Sequence, residues 1–227
     1  MKYPYLLFDA DDTLFDFPKA SSRAFAAACR AQDIPCTPES RRLFNTINHE
    51  LWAAFDRGEI TKEFVVLERF ARFLEALKLD RDAAECNRTF LAALGEGVYP
   101  LPHAEEVCRE LKRRGHRMYL ITNAVASVQR SRLRGSAFAE LFEAAFISEE
   151  AGAAKPSRAY FDYVRRQLPG MTAENTLVIG DSLSTDMRGA NNAGLPCCWF
   201  NPAGKANGEG VRIDYEIADL RQLPDLV

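Results

Sequence analysis

Residues 5–14 read YLLFDADDTL, a short apolar run followed at once by acidic residues. An apolar run of this length, without polar alternation, predicts a strand buried on both faces of a parallel sheet. The carboxylates of Asp9 and Asp11 would then emerge at its carboxyl end, the edge where open α/β sheets bind ligands. Crowded carboxylates are unfavourable unless a cation or a proton compensates them, so the stretch indicates a metal site.

Composition limits the class of protein. The chain has 227 residues, 47% of them hydrophobic, which suffices for a sizeable core and a modest second domain. A net charge of -3 gives no reason to expect attraction to nucleic acid polymers or to an anionic membrane. The first apolar run is too short for a signal peptide and no run is long enough to span a membrane, so we expect a cytoplasmic protein. The six cysteines form no C-x-x-C pair, which favours reduced, mostly buried thiols.

The pattern of apolar residues divides the chain into a helical block and an alternating block. Over residues 17–96 the spacing predicts about four helices that form a bundle, because two apolar faces run through residues 64–77. The rest alternates helices with short apolar strands, predicted at residues 117–122, 144–148, 176–180, 197–200 and 215–217. This alternation predicts an α/β fold with a doubly wound parallel sheet. We therefore expect a core of residues 1–16 and 97–227 with an inserted all-helical cap.

Polar residues from three further segments follow predicted strands or precede a predicted helix. Thr122 and Asn123 end the second strand, and their hydroxyl, amide and backbone N–H groups suit a phosphate. Lys155 stands just before a helix start, where it would neutralise anionic oxygen. Asp181 and Asp186 follow the fourth strand. Four separate segments thus converge on one edge of the sheet.

This set of residues suits phosphoryl transfer assisted by Mg²⁺, a hard cation that prefers oxygen ligands. We assign Asp9, the main-chain carbonyl of Asp11 and Asp181 as its protein ligands, with Asp186 as a supporting residue. Asp9 would attack phosphorus and form an aspartyl-phosphate. Asp11 would protonate the leaving oxygen and later deprotonate the attacking water. Thr122, the N–H of Asn123 and Lys155 would hold the transferring group.

These motifs resemble, in order, the four motifs of the haloacid dehalogenase superfamily. They are Asp9-x-Asp11-x-Thr13-Leu14, Thr122, Lys155-Pro156 and Gly180-Asp181-x-x-x-x-Asp186. The resemblance covers essentially the whole chain, and it implies a Rossmann-like core, an early helical cap, Mg²⁺ and phosphatase activity.

A narrower resemblance is to the bacterial pyrimidine 5'-nucleotidase subfamily. It rests on DADDTLFDF at residues 9–17, Leu101-Pro102, LITN at residues 120–123 and ISEEAGAAKP at residues 147–156, although His103 and Ala124 stand where glycine is common. It implies a small phosphate ester, a nucleoside 5'-monophosphate, as substrate. A phosphosugar phosphatase or mutase of the same superfamily, or a non-catalytic binding module, is the alternative. The oligomeric state and the preferred base and sugar stay open.

Overall fold

A single parallel sheet of six strands organises the larger part of the molecule, seen in a computed structural model that describes all 227 residues. The strands are β1 (Tyr5–Phe8), β2 (Arg117–Thr122), β3 (Ala144–Ile147), β4 (Thr176–Gly180), β5 (Cys197–Phe200) and β6 (Tyr215–Ile217). Their order across the sheet is β3-β2-β1-β4-β5-β6, and all neighbours are parallel. The predicted α/β fold is confirmed. The predicted strand over residues 144–148 ends one residue earlier.

Strand β1 is a central strand of the sheet, and both of its faces are apolar. Leu6 and Phe8 are buried in a core on one face, and Leu7 is buried in a second core on the other. The chain adds β2 and β3 on one side of β1 and β4 to β6 on the other, so the order reverses at β1. The carboxyl ends of β1, β2 and β4 are therefore neighbours, at the point where doubly wound sheets bind ligands.

Five helices accompany the sheet: α5 (Ala104–Arg113), α6 (Ala126–Arg134), α7 (Ser148–Ala151), α8 (Arg158–Gln167) and α9 (Arg188–Ala193). A π-helical turn over Leu183–Met187 precedes α9, and 3-10 turns cover Ala137–Glu140 and Leu220–Asp225. His103, directly before α5, has a φ of 63°. Residues that carry a side chain rarely adopt this left-handed backbone conformation, whereas glycine adopts it readily, so glycine suits this position.

The chain divides into two compact units, one of residues 1–17 and 98–227 and one of residues 18–97. The second unit is helical, with α1 (Phe17–Ala31), α2 (Pro38–Asp56), α3 (Lys62–Ala76) and α4 (Ala83–Glu96). Its core is a set of buried, mutually contacting aromatic rings: Phe25, Phe44, Phe70, Phe73 and Phe90.

One face predicted for the helical block is partly wrong. Phe64 and Leu67 are exposed, whereas Val65, Phe73 and Leu74 of the same helix are buried. The reason is that α3 packs against α2 and α4 and turns one apolar stripe toward them, so the start of the second stripe is left at the surface.

All six cysteines are free, and five of them are buried while Cys36 is exposed. Not one of the helices combines the length and the apolar character that crossing a membrane would need.

Candidate active site

The acidic loop after β1 is a tight, hydrogen-bonded turn. The N–H of Asp9 donates to the carbonyl of Ile179 at 2.8 Å, which extends the pairing of β1 with β4. Asp12 has a φ of 60°, and its side chain accepts a hydrogen bond from the N–H of Phe17 at 3.3 Å. Burial, and then the charge of Asp11, raise the pKa of Asp12 to about 6. Asp12 therefore shapes the turn.

Three carboxylates meet at the carboxyl ends of β1 and β4. Oxygen atoms of Asp9, Asp181 and Asp186 all lie within 4.8 Å of one another. Burial raises the pKa of Asp9 well above its usual value, against the opposing effect of Lys155. Burial, followed by the charge of Asp186, raises the pKa of Asp181 to about 7. The cluster thus lacks sufficient positive charge.

Gly180 makes room for this cluster. A Cβ atom at Gly180 would collide with the carboxyl group of Asp186. That carboxyl group is almost fully buried, and it also accepts a hydrogen bond from the N–H of Ser182 at 3.2 Å. The missing side chain at the end of β4 is therefore a requirement for the position of Asp186.

Lys155 is the cation that the cluster contains. Its Nζ atom donates to Asp9 at 2.5 Å, to Asp186 at 2.7 Å and to the carbonyl of Ile121 at 3.1 Å. Burial alone would lower the pKa of Lys155, but the carboxylates of Asp186 and Asp9 raise it above its usual value. All three ammonium protons are thus used, and Lys155 fixes the orientation of both acids.

Thr122 and Asn123 lie at the neighbouring end of β2, as predicted. The Thr122 hydroxyl accepts from the N–H of Ala124 at 3.1 Å, and the Thr122 N–H donates to the Tyr160 hydroxyl at 3.1 Å. The Asn123 amide donates to the carbonyl of Lys155 at 2.8 Å and accepts from its N–H at 2.9 Å. Asn123 therefore ties the loop after β2 to the loop that carries Lys155, a contact that the sequence analysis did not anticipate.

The cluster fits a divalent cation with oxygen ligands. With all three carboxylates ionised, the one ammonium leaves two negative charges of the cluster uncompensated. Carboxylate oxygens suit Mg²⁺, whereas zinc sites usually include histidine or cysteine, and the cluster contains neither. The Trp199 indole N–H donates to the main-chain carbonyl of Asp181 at 2.8 Å and so holds the loop after β4.

Asp11 stands apart from the three carboxylates, and its partner is a residue that the sequence analysis missed. Its carboxylate forms an ion pair with Nη1 of Arg132 on α6. The same Nη1 donates to Gln129 at 3.0 Å, and the guanidinium lies 4.4 Å from the ring centre of Phe15. A signal was present, because Val128, Gln129 and Arg132 share one helical face and the valine marks that face as buried.

One sequence family matches most of the chain, from just before β1 to just after α9. Residues 3–194 match the sequence model of the haloacid dehalogenase-like hydrolases. The chain belongs to this family. The predictions of this superfamily and of an enzyme of its phosphatase class are confirmed.

Curated relatives match over nearly the whole length of this hydrolase. The HAD-hydrolase YfnB of Bacillus subtilis is 37% identical, with 98% of this chain and 94% of that protein covered. The pyrimidine 5'-nucleotidase YjjG of Escherichia coli is 30% identical, with 100% and 99% covered. The pyrimidine 5'-nucleotidase PynA of Streptococcus pneumoniae is 29% identical, with 99% and 95% covered. A magnesium-bound crystal structure of YfnB superposes with a TM-score of 0.93 over 100% of this chain and 99% of that chain.

Proposed function

We propose that this hydrolase is a Mg²⁺-dependent phosphatase that acts on nucleoside 5'-monophosphates through an aspartyl-phosphate on Asp9. The observation that carries the proposal is the cluster of Asp9, Asp181 and Asp186 at the point where the strand order reverses, in which Lys155 pairs with the first and the last of these acids. Two relatives named as pyrimidine 5'-nucleotidases support the substrate class. Magnesium in the YfnB structure supports the choice of cation.

Asp9 is the nucleophile in this scheme. One of its oxygens forms a bond to phosphorus while the bond from phosphorus to the leaving oxygen breaks. Lys155 bridges the attacking carboxylate and Asp186, and it fixes the orientation of Asp9 through the 2.5 Å contact. Mg²⁺, held by Asp9, Asp181 and the main-chain carbonyl of Asp11, would screen the repulsion between the carboxylate and the phosphate when bound. Asp186 is the supporting residue in this scheme, because it pairs with Lys155 beside the attacking Asp9.

Asp11 performs the proton transfers. It gives a proton to the leaving oxygen in the first step. In the second step it takes a proton from the water that attacks the aspartyl-phosphate, while the bond from phosphorus to the Asp9 oxygen breaks and inorganic phosphate leaves. The Thr122 hydroxyl and the Asn123 N–H would bind the phosphoryl oxygens from the end of β2. Residues 1–16 and 97–227 form the catalytic core in this proposal, and residues 17–96 form the helical cap domain.

A substrate panel tests the reaction and the substrate class together. Release of inorganic phosphate is measured with pyrimidine and purine 5'-monophosphates, sugar phosphates and phosphoserine, in Mg²⁺ and in EDTA. We expect Mg²⁺-dependent release that is fastest for the nucleotides, and Asp9→Asn abolishes it. The exposed Asp225 supplies a matched control, since Asp225→Asn removes a surface charge only.

Each alternative has its own result on this panel. Activity retained by Asp9→Asn contradicts the nucleophile, and faster turnover of sugar phosphates contradicts the substrate class. Conversion of one sugar phosphate to another without phosphate release indicates a mutase. A complete lack of turnover in Mg²⁺ indicates a binding module.

A further inference from the structure

We propose that Arg132 is a positioning residue, which holds the Asp11 carboxylate in place for its two proton transfers and acts only through Asp11. This inference rests on the proposed function, because it assumes that Asp11 is the general acid and base. No family motif quoted above includes Arg132.

The geometry around Arg132 is that of a fixed support. Its side chain is 1% exposed, whereas that of Asp11 is 24% exposed. Gln129 accepts a hydrogen bond from the same Nη1 that contacts Asp11, and the Phe15 ring lies under the guanidinium. One end of the ion pair is thus buried on a helix, and the other end is a partly exposed loop carboxylate.

Stability alone does not explain an arginine at this position. Burying a guanidinium is costly, and an apolar side chain of similar volume often serves a folded protein as well or better. An unbranched apolar residue would fill the space over Phe15 without that cost. The charge must therefore serve its partner, and the partner is Asp11.

Proton transfer depends strongly on the position of Asp11. A general acid or base must come within hydrogen-bond reach of its proton, and a misplacement of about 1 Å costs on the order of 10²-fold in rate. Asp11 lies on a turn and has two rotatable side-chain bonds, so a rigid ion pair removes conformers that are out of reach. Arg132 therefore contributes to turnover and not to phosphate binding.

The test is a double-mutant cycle on the full chain in Mg²⁺ with p-nitrophenyl phosphate. Arg132→Met keeps the packing over Phe15 and removes the charge, and we expect kcat to fall by about 10²-fold. KM and inhibition by inorganic phosphate stay unchanged, and Arg132→Lys recovers part of kcat. In an Asp11→Asn background the Arg132→Met change has no further effect. Arg130→Met is the matched control, since Arg130 lies on the same helix but pairs with Glu150 on the surface.

Two results overturn the inference. One is a fall in the residual rate of Asp11→Asn when Arg132→Met is added, and the other is equal activity of Arg132→Met and Arg130→Met. Where Arg132→Met fails to fold, Gln129→Leu decides instead, because it removes one restraint on the guanidinium. It should lower kcat in the native background and not in Asp11→Asn.

The same data separate this inference from the proposed function. The proposed function fails, and the inference with it, where the native protein releases no phosphate or Asp9→Asn stays active. The inference alone fails where those two results are as expected but the changes at Arg132 and Asp11 have multiplicative effects.

Discussion

Gly180→Ala adds a single methyl group next to the acid cluster, where it would meet the carboxyl group of Asp186. The new Cβ would occupy the space of the Asp186 carboxyl group, so that carboxyl group must move. Its hydrogen bond from Lys155, 2.7 Å long, and its hydrogen bond from the Ser182 N–H would both be strained. We expect a less stable protein that also binds Mg²⁺ more weakly, since Asp186 no longer completes the cluster.

The size of the effect follows from two contributions. Overpacking a buried site costs about 1–3 kcal/mol. Weakening a hydrogen bond between charged groups costs about 1.5–3 kcal/mol more. Together these amount to about 2.5–6 kcal/mol, which lowers the melting temperature of a protein of this size by about 5–24 °C, at about 2–4 °C for each kcal/mol.

Thermal unfolding followed by circular dichroism measures this loss. Gly208→Ala is the matched control, because nothing lies within 4 Å of a Cβ built at Gly208 and its backbone is not left-handed. The control should melt within about 2 °C of the native protein, as surface changes usually cost under about 0.5 kcal/mol. Equal melting temperatures for Gly180→Ala and Gly208→Ala would show that the cluster does not depend on the glycine.

Three further predictions concern the charges. Mg²⁺ at about 100 times its Kd should stabilise the native protein by about 2.7 kcal/mol relative to EDTA, and Asp181→Asn should lose most of this gain. Thermal melts measure both, and an equal rise in melting temperature for the two proteins contradicts the assignment of Asp181 as a ligand. Lys155→Met leaves the buried acids without their cation and should cost about 3–5 kcal/mol in urea unfolding, and a loss under about 1 kcal/mol argues against the buried pairing. The hydrogen bond from Arg117 lowers the pKa of Glu143 in the folded protein below the pKa of the same group in the unfolded chain. This hydrogen bond therefore stabilises the fold fully above the unfolded pKa, and the stabilisation is lost as the pH falls through the folded pKa. Glu143→Gln should therefore cost less than about 1 kcal/mol at neutral pH and nothing in strong acid, because the pair is largely exposed, and a cost that grows as the pH falls contradicts this sign.

The strands and the acids could be predicted from the sequence because each depends on local pattern. The run before Asp9 is apolar at every position, and a run of that kind can only be a buried strand or part of a buried helix. Asp9 and Asp181 come directly after such runs, so their place at the sheet edge follows from the parallel topology. The order of the strands does not follow from pattern, since it depends on which crossovers pack best.

The Arg132 contact could not be predicted in the same way. Helix α6 contains Arg130, Arg132 and Arg134, and their identities do not distinguish a buried arginine from a solvated one. The helical face marked by Val128 indicates that Arg132 is buried, but it does not indicate the partner, because Asp11 is 121 residues away in the chain. Phe64 is exposed although it belongs to one of the two apolar faces predicted for residues 64–77, because apolar character alone does not indicate which of two stripes faces a neighbouring helix.

The hydrogen bond from Trp199 to the Asp181 carbonyl gives the enzyme a built-in optical probe. The indole is 2% exposed and is hydrogen-bonded to Asp181, which we assign as a ligand of the cation. The fluorescence of Trp199 should therefore change when the cation binds. The chain has two tryptophans, and the other, Trp52, lies in the helical unit. In a Trp52→Phe protein all of the tryptophan fluorescence would come from Trp199. Cation loading could then be followed in a stopped-flow instrument without a dye, a label or a substrate.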